Sequence, residues 1–262
     1  MYFGLSEDQI FFQDNVKKFL EDNAPLDLIR KISKGEDLNQ KNEIHSGIIN
    51  LGINNILVPE EHGGLGLDLL FATAISQSIG GAVAPLPYCG SYVMAPIAIQ
   101  IGASKSQKEN IFNEMSSSNI KFGIAFSEYF GSRDSSSINF SNEKINGKTI
   151  FAIDCDYATD VLVSDASGKI GIVSIEDKNI EIVDLITVDK TRTYKEIKFS
   201  NANVEILENT KKNTDAIEKA LDAGRIITAA DTLGASQAML DKAVSYSNCL
   251  LYTSDAADDA NC

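Results

Sequence analysis

The chain has 262 residues, 44% of them hydrophobic and 23% charged, with a formal net charge of −14. That acidity excludes nucleic-acid binding, which needs a basic surface, and gives an anionic ligand no long-range attraction. Four cysteines with no C-x-x-C pair and only two histidines exclude zinc sites, a disulfide framework and most Ser–His hydrolase arrangements.

No apolar run reaches the roughly 18 residues of a membrane span. The N-terminus has no basic stretch ahead of an apolar one, so a cytoplasmic protein is the expectation. From the first residues, Ser6 with Gln9 forms a capping box, and Phe12, Val16, Phe19 and Leu20 share one face of the helix that follows. Lys31 to Lys41 is polar, contains Gly35 and predicts a loop; Ile44 to Leu51 predicts a second helix. In "VPEEHGGLGLDLL", Gly63, Gly64 and Gly66 permit positive φ, and His62 reads as a surface or packing residue. A helical pattern resumes at Leu69–Ile79. Pro85, Pro87 and Pro96 require later helices to start after or around each ring, and "SKSQKENIFNEMSSS" predicts a short amphipathic helix.

Near Lys121 the period changes. Short β-branched or alternating runs such as "KFGIAFS", "DVLVSD" and "KIGIVSI" predict a β-domain of about seven strands, with a hairpin signal at Asn146-Gly147. From Asp215, which with Glu218 reads as a second capping box, a helical period returns. Ala216, Ala220, Ala223, Ile227, Ala230, Gly234 and Ala238 form a small-residue seam that lets a second helix approach closely. The expectation is that this seam has no partner within the chain. The fold class is thus α+β: an N-terminal helical domain (1–119), a central antiparallel β-domain (120–210), the first helix (211–248) of a truncated C-terminal bundle, and a non-native-looking acidic tail (249–262).

Three stretches resemble the acyl-CoA dehydrogenase family. "LGINNILVPEEHGGLGLDLL" is similar to its helix–loop–helix signature, "INGKTIFAIDCDYATDVLVSD" to its central β-domain, and "EKALDAGRIITAADTLGASQAMLDKAVSYS" to the first long helix of its C-terminal bundle. The resemblance covers residues 1–248 in order. It implies that the natural chain continues past Asn248, and that "CLLYTSDAADD" is read-through into a library adapter. It also implies FAD as cofactor, an acyl-CoA substrate, an electron-transfer flavoprotein or similar acceptor, and a homo- or hetero-oligomer. No nucleic-acid, membrane or metal partner is implied. The degenerate flavin loop leans toward the pimeloyl or steroid type of the family, in which unlike subunits often pair.

By the same resemblance, Phe126 and Ser127 in "IAFSEYFGSRD" lie where relatives contact the flavin, and Ser132 lies near the thioester's pantetheine or phosphate end. Phe151, Ala152 and Ile153 take the place of an aromatic, an aliphatic and a threonine that pack the flavin ring. An alternating strand also places Phe151 and Ile153 on one side, so core packing is the rival reading. Asp222 and Arg225 match positions facing the acyl-CoA channel, and their spacing equally makes an ordinary i,i+3 ion pair. Gly224 stands where some branches carry the catalytic glutamate, so no catalytic base is identified. Without one, the fragment is expected to be inactive and to retain little FAD. The alternatives are a non-catalytic dehydrogenase-like subunit of a heteromer, or a flavin-dependent monooxygenase of the same fold.

Overall fold

A computed structural model describes residues 4–130, 138–209 and 213–254. The N-terminal part is helical: α1 (Glu7–Asn23), α2 (Leu26–Ile32), α3 (Leu38–Asn50), α4 (Leu69–Ala82), α5 (Ala95–Gly102) and α6 (Lys105–Ser116). The capping box at α1 is formed: the Gln9 N–H donates to Ser6 Oγ (3.2 Å) and the Ser6 N–H to Gln9 Oε1 (2.9 Å). The same device, Ser104 with Gln107, opens α6. Residues 31–41 are less of a loop than their polarity suggested, since α2 and α3 take both ends. Gly63 and Gly66 do have positive φ. Gly64 does not; a Cβ there would meet the Val58 carbonyl at 2.1 Å. After Pro87 the chain forms a π-helical segment, Tyr88–Met94, whose wide turn leads directly into α5.

The strands are β1 (Phe122–Ala125), β2 (Asn139–Ser141), β3 (Lys144–Ile153), β4 (Asp160–Ser164), β5 (Ile170–Ser174), β6 (Ile180–Leu185), β7 (Tyr194–Asn203) and β8 (Glu205–Ile206). They form one sheet in the order β6-β7-β3-β1-β4-β5-β8, with β2 on β3. The sheet is mixed rather than purely antiparallel: β1 and β4 pair in parallel, and the other pairs are antiparallel. The expected turn at Asn146-Gly147 is absent, because both residues pair with β7 inside β3. The hairpin turns four residues earlier, where Asn142 and Glu143 both have positive φ and Ser141 pairs with Lys144. An Asn–Gly pair is a turn only when the flanking register places it between strands.

The last element, α7, spans Asn213–Ser254. It begins ahead of Asp215, which therefore sits in the first turn instead of capping it, and it runs past residue 248. Its small-residue seam has a partner inside the chain, contrary to the expectation above. Ala216, Ile217 and Ala220 are fully buried in the core beneath α5 and β1, and Ala223 and Ile227 join the core of α1, α3 and α4. Periodicity showed that the seam must be covered but not by what, because α4 lies more than 130 residues upstream. Further along, Leu233, Met239, Leu240, Val244 and Tyr246 remain exposed. Among the described residues, no helix is long and apolar enough to cross a membrane, and no cluster of three metal-ligating side chains occurs.

Candidate functional site

A cleft of about 640 Å³ opens where the sheet meets α7. Ile124, Phe126 and Ser127 at the end of β1 form one side, and Phe151, Ile153 and Asp154 at the end of β3 form the next. Arg192, Thr193 and Tyr194, leading into β7, close the third. Leu221, Gly224, Arg225, Thr228 and Thr232 of α7, with Cys89 and Met94 of the π-helical segment, complete it.

The β3 end is shaped by an irregularity. Its register against β7 shifts between Thr149 and Ala152, and Phe151 adopts φ 56°. A bulky residue in the left-handed region costs about 1–3 kcal/mol. Phe151 is nonetheless 56% exposed, so no buried contact offsets that strain. The side chains of Phe151 and Ile153 both line the cleft, as alternation required. Ala152 does not; it is fully buried with Ala125, Ile145 and Ile197 in the sheet's own core. Its expected ring contact is thus replaced by core packing.

Phe126 is buried and contributes to the cleft wall. Ser127 Oγ lies 2.9 Å from Thr149 Oγ1, which fixes the hydroxyl at the rim. Tyr129 donates to Glu218 Oε1 at 2.9 Å and ties the turn after β1 to α7. Arg225 lines the cleft and pairs with Asp222 at 2.7 Å, an exposed i,i+3 pair. Asp222 itself does not line it. Ser132 lies outside the described residues.

Among the lining residues that sequence reasoning passed over are Cys89, Asp154 and Arg192. Asp154 Oδ2 accepts the N–H groups of Gly90 (2.5 Å) and Ser91 (3.2 Å), which clamps the end of β3 to the π-helical segment. Burial raises its carboxyl from 3.8 to about 6, against the lowering effect of those two N–H groups and of Arg192. Arg192 Nη2 pairs with Asp231 Oδ2 at 2.6 Å, and its Nε lies 3.8 Å from Asp189. That pair joins the β6–β7 loop to α7. Burial chiefly pushes the Cys89 thiol up to about 12, which favours the neutral thiol at neutral pH. The only advance signal for Asp154 and Arg192 was charge beside an apolar strand; the loop that unites them is remote in sequence.

Residues 6–119 match the family model described as acyl-CoA dehydrogenase, N-terminal domain. The mitochondrial isovaleryl-CoA dehydrogenase of Pongo abelii is 26% identical over 270 residues, covering 93% of this chain and 63% of that protein. A probable acyl-CoA dehydrogenase of Bacillus subtilis (strain 168) is 27% identical over 228 residues, covering 75% of this chain and 57% of its own length. The chain therefore spans less than two thirds of these curated relatives. In fold it is similar to the ChsE4–ChsE5 complex from Mycobacterium tuberculosis, with a TM-score of 0.79 at 19% identity over 94% of this chain and 68% of that one.

Proposed function

We propose that the chain is a member of the acyl-CoA dehydrogenase family whose cleft binds FAD and an acyl-CoA thioester for α,β-dehydrogenation of the acyl chain. The observation that carries this is Phe151: an exposed aromatic face, held at a costly dihedral on the wall of a mostly apolar cleft. A planar ring laid on that face would bury it and turn the strain into preorganisation. The residues present fit such a ring. Phe151 and Ile153 would pack it, and the Ser127 hydroxyl, steadied by Thr149, would offer a hydrogen bond. Ile153 itself supplies no hydroxyl. FAD, when bound, supplies the acceptor for the β-hydride. Met94, Ile124 and Leu221 offer apolar surface to an acyl chain.

Taking the α-proton needs a carboxylate within hydrogen-bond reach. Gly224 is on the cleft wall and cannot take a proton. Asp154, the carboxylate among the described lining residues, is held through Oδ2 by the N–H groups of Gly90 and Ser91. Binding of substrate and cofactor is therefore the part of the reaction that these residues support. An electron-transfer flavoprotein as acceptor and assembly with a like or unlike subunit belong to the same proposal; the exposed apolar side chains of α7 support the second. Gly224 and Ile153 also favour a second reading, a non-catalytic subunit that lends half of a flavin site to a partner.

Anaerobic addition of octanoyl-CoA to the FAD-loaded protein tests the assignment. The expected result is a shift of the flavin spectrum without bleaching. Bleaching would show a working base among these residues, and an unmoved spectrum would remove the thioester from the cleft.

A further inference from the structure

Burial fixes the roles of donor and acceptor in the hydroxyl pair of Ser127 and Thr149. Their oxygens lie 2.9 Å apart, and among the described residues neither hydroxyl has another hydrogen-bond partner. Each hydroxyl carries one proton and two lone pairs, so distance alone would let either donate. Their surroundings differ. Thr149 is fully buried in β3, opposite the equally buried Ile197 of β7, and Ser127 Oγ is the acceptor within its reach. Ser127 is partly exposed and lines the cleft. A buried donor left unpaired carries its full desolvation penalty, whereas a proton at the cleft rim can be met by water or by a ligand. Thr149 is therefore the donor and Ser127 the acceptor. The Ser127 proton is left for the cleft.

Thr149 is also the last regularly paired residue of β3 before the register shift that contains Phe151. One buried side chain thus sits between the strand irregularity and the rim hydroxyl, both of which meet the same cleft. Resting on the flavin assignment above, we infer that Thr149 is a positioning residue: by donating to Ser127 it holds that hydroxyl as a donor into the cleft. The match is an acceptor on the bound ring, a carbonyl oxygen or an unprotonated nitrogen, and not an N–H. Two physical effects follow. The bond keeps the Ser127 side chain in one of its three staggered wells, and releasing it costs a factor of about three in affinity. Accepting from Thr149 also polarises the Ser127 O–H and strengthens its outward donation.

The test is a double-variant cycle on Ser127→Ala and Thr149→Val, the second keeping the shape of threonine without its hydroxyl, with FAD titrated by quenching of flavin fluorescence. Thr149→Val should weaken FAD binding about threefold or more, and Thr149→Ser should restore the parent affinity. Ser127→Ala should weaken it by up to about tenfold. In the Ser127→Ala background, Thr149→Val should leave FAD affinity unchanged, because the hydroxyl it acts through is gone. Melting of the flavin-free proteins gives a second reading. Ser127→Ala strands the buried Thr149 hydroxyl, so adding Thr149→Val there should raise the melting temperature about 2–4 °C more than it does in the parent. Equal FAD affinity in the parent and Thr149→Val, no restoration by Thr149→Ser, or the same loss with and without the Ser127 hydroxyl would each overturn the positioning role while leaving the flavin site standing. So would an equal melting shift in both backgrounds, which would mean that Thr149 has another acceptor. If the parent binds no FAD, the flavin assignment fails and this inference with it.

Discussion

Helices α4 and α7 touch through glycine in both directions. A Cβ on Gly80 would lie 1.9 Å from the Asp231 carbonyl oxygen, and one on Gly234 would lie 1.9 Å from the Gln77 carbonyl oxygen. Ordinary contact needs about 3.4 Å or more, so Gly80→Ala must drive the two backbones apart by about 1.5 Å. Overpacking costs about 1–3 kcal/mol where side chains can yield, and here the obstacle is backbone, which puts the cost at the upper end. Alanine's helix preference returns about 1 kcal/mol, leaving a net loss of about 2 kcal/mol. Gly81→Ala is the matched control, because its Cβ would meet the Gly234 carbonyl oxygen at 3.5 Å, an ordinary contact. That substitution should gain about 0.5–1 kcal/mol. Thermal melts followed by circular dichroism should therefore place Gly80→Ala about 4–8 °C below the parent and Gly81→Ala slightly above it. Two variants melting together, or Gly80→Ala melting at or above the parent, would refute the close approach of α4 and α7.

Asp154→Asn keeps an acceptor for Gly90 and Ser91 but removes a buried charge. The folded-state carboxyl stands at about 6 against 3.8, so its stabilising contribution is complete below 3.8 and is lost as pH rises through about 6. Two units correspond to about 3 kcal/mol. Urea unfolding should show the variant more stable than the parent at pH 8, with the gap closing toward pH 4; a gap that widens on acidification would contradict this. His45 has the opposite sign: it is buried, hydrogen-bonded to Tyr92 at 2.6 Å and lowered from 6.5 to about 4 by burial and by Lys121 and Lys41. Its contribution is present above 6.5 and lost as pH falls to about 4, roughly 3 kcal/mol. His45→Gln should flatten the pH dependence of unfolding across that window, and an unchanged slope would count against it. Phe151→Gly should relieve about 1–2 kcal/mol of left-handed backbone strain, raising stability in the same unfolding assay; a fall in stability would show that the dihedral is not under strain.

Local signals in the sequence were reliable where one turn of chain decides the outcome. The Ser6–Gln9 box and the Pro87 and Pro96 boundaries could be read directly, because each acts through neighbours within four residues. Signals that depend on a distant partner misled. Asn146-Gly147 lies in a strand because β7 pairs across it, and the α7 seam is covered by α4, which no periodicity in α7 could reveal. The parallel β1–β4 pair is likewise a matter of topology. The site divides in the same way. Phe126, Ser127, Phe151 and Ile153 converge on the cleft, whereas Ala152 turns into the sheet because a register shift intervenes. Asp154 reaches the site from the end of β3 and Arg192 from the β6–β7 loop, 38 positions apart and with no motif between them.

Equilibrium titration with FAD, read by quenching of flavin fluorescence, tests most directly whether this cleft is a flavin site. Saturable binding is expected in the parent protein, weakened at least tenfold in Phe151→Gly even though that variant is the more stable protein. No saturable binding in the parent, or identical affinity in the two proteins, would contradict the assignment.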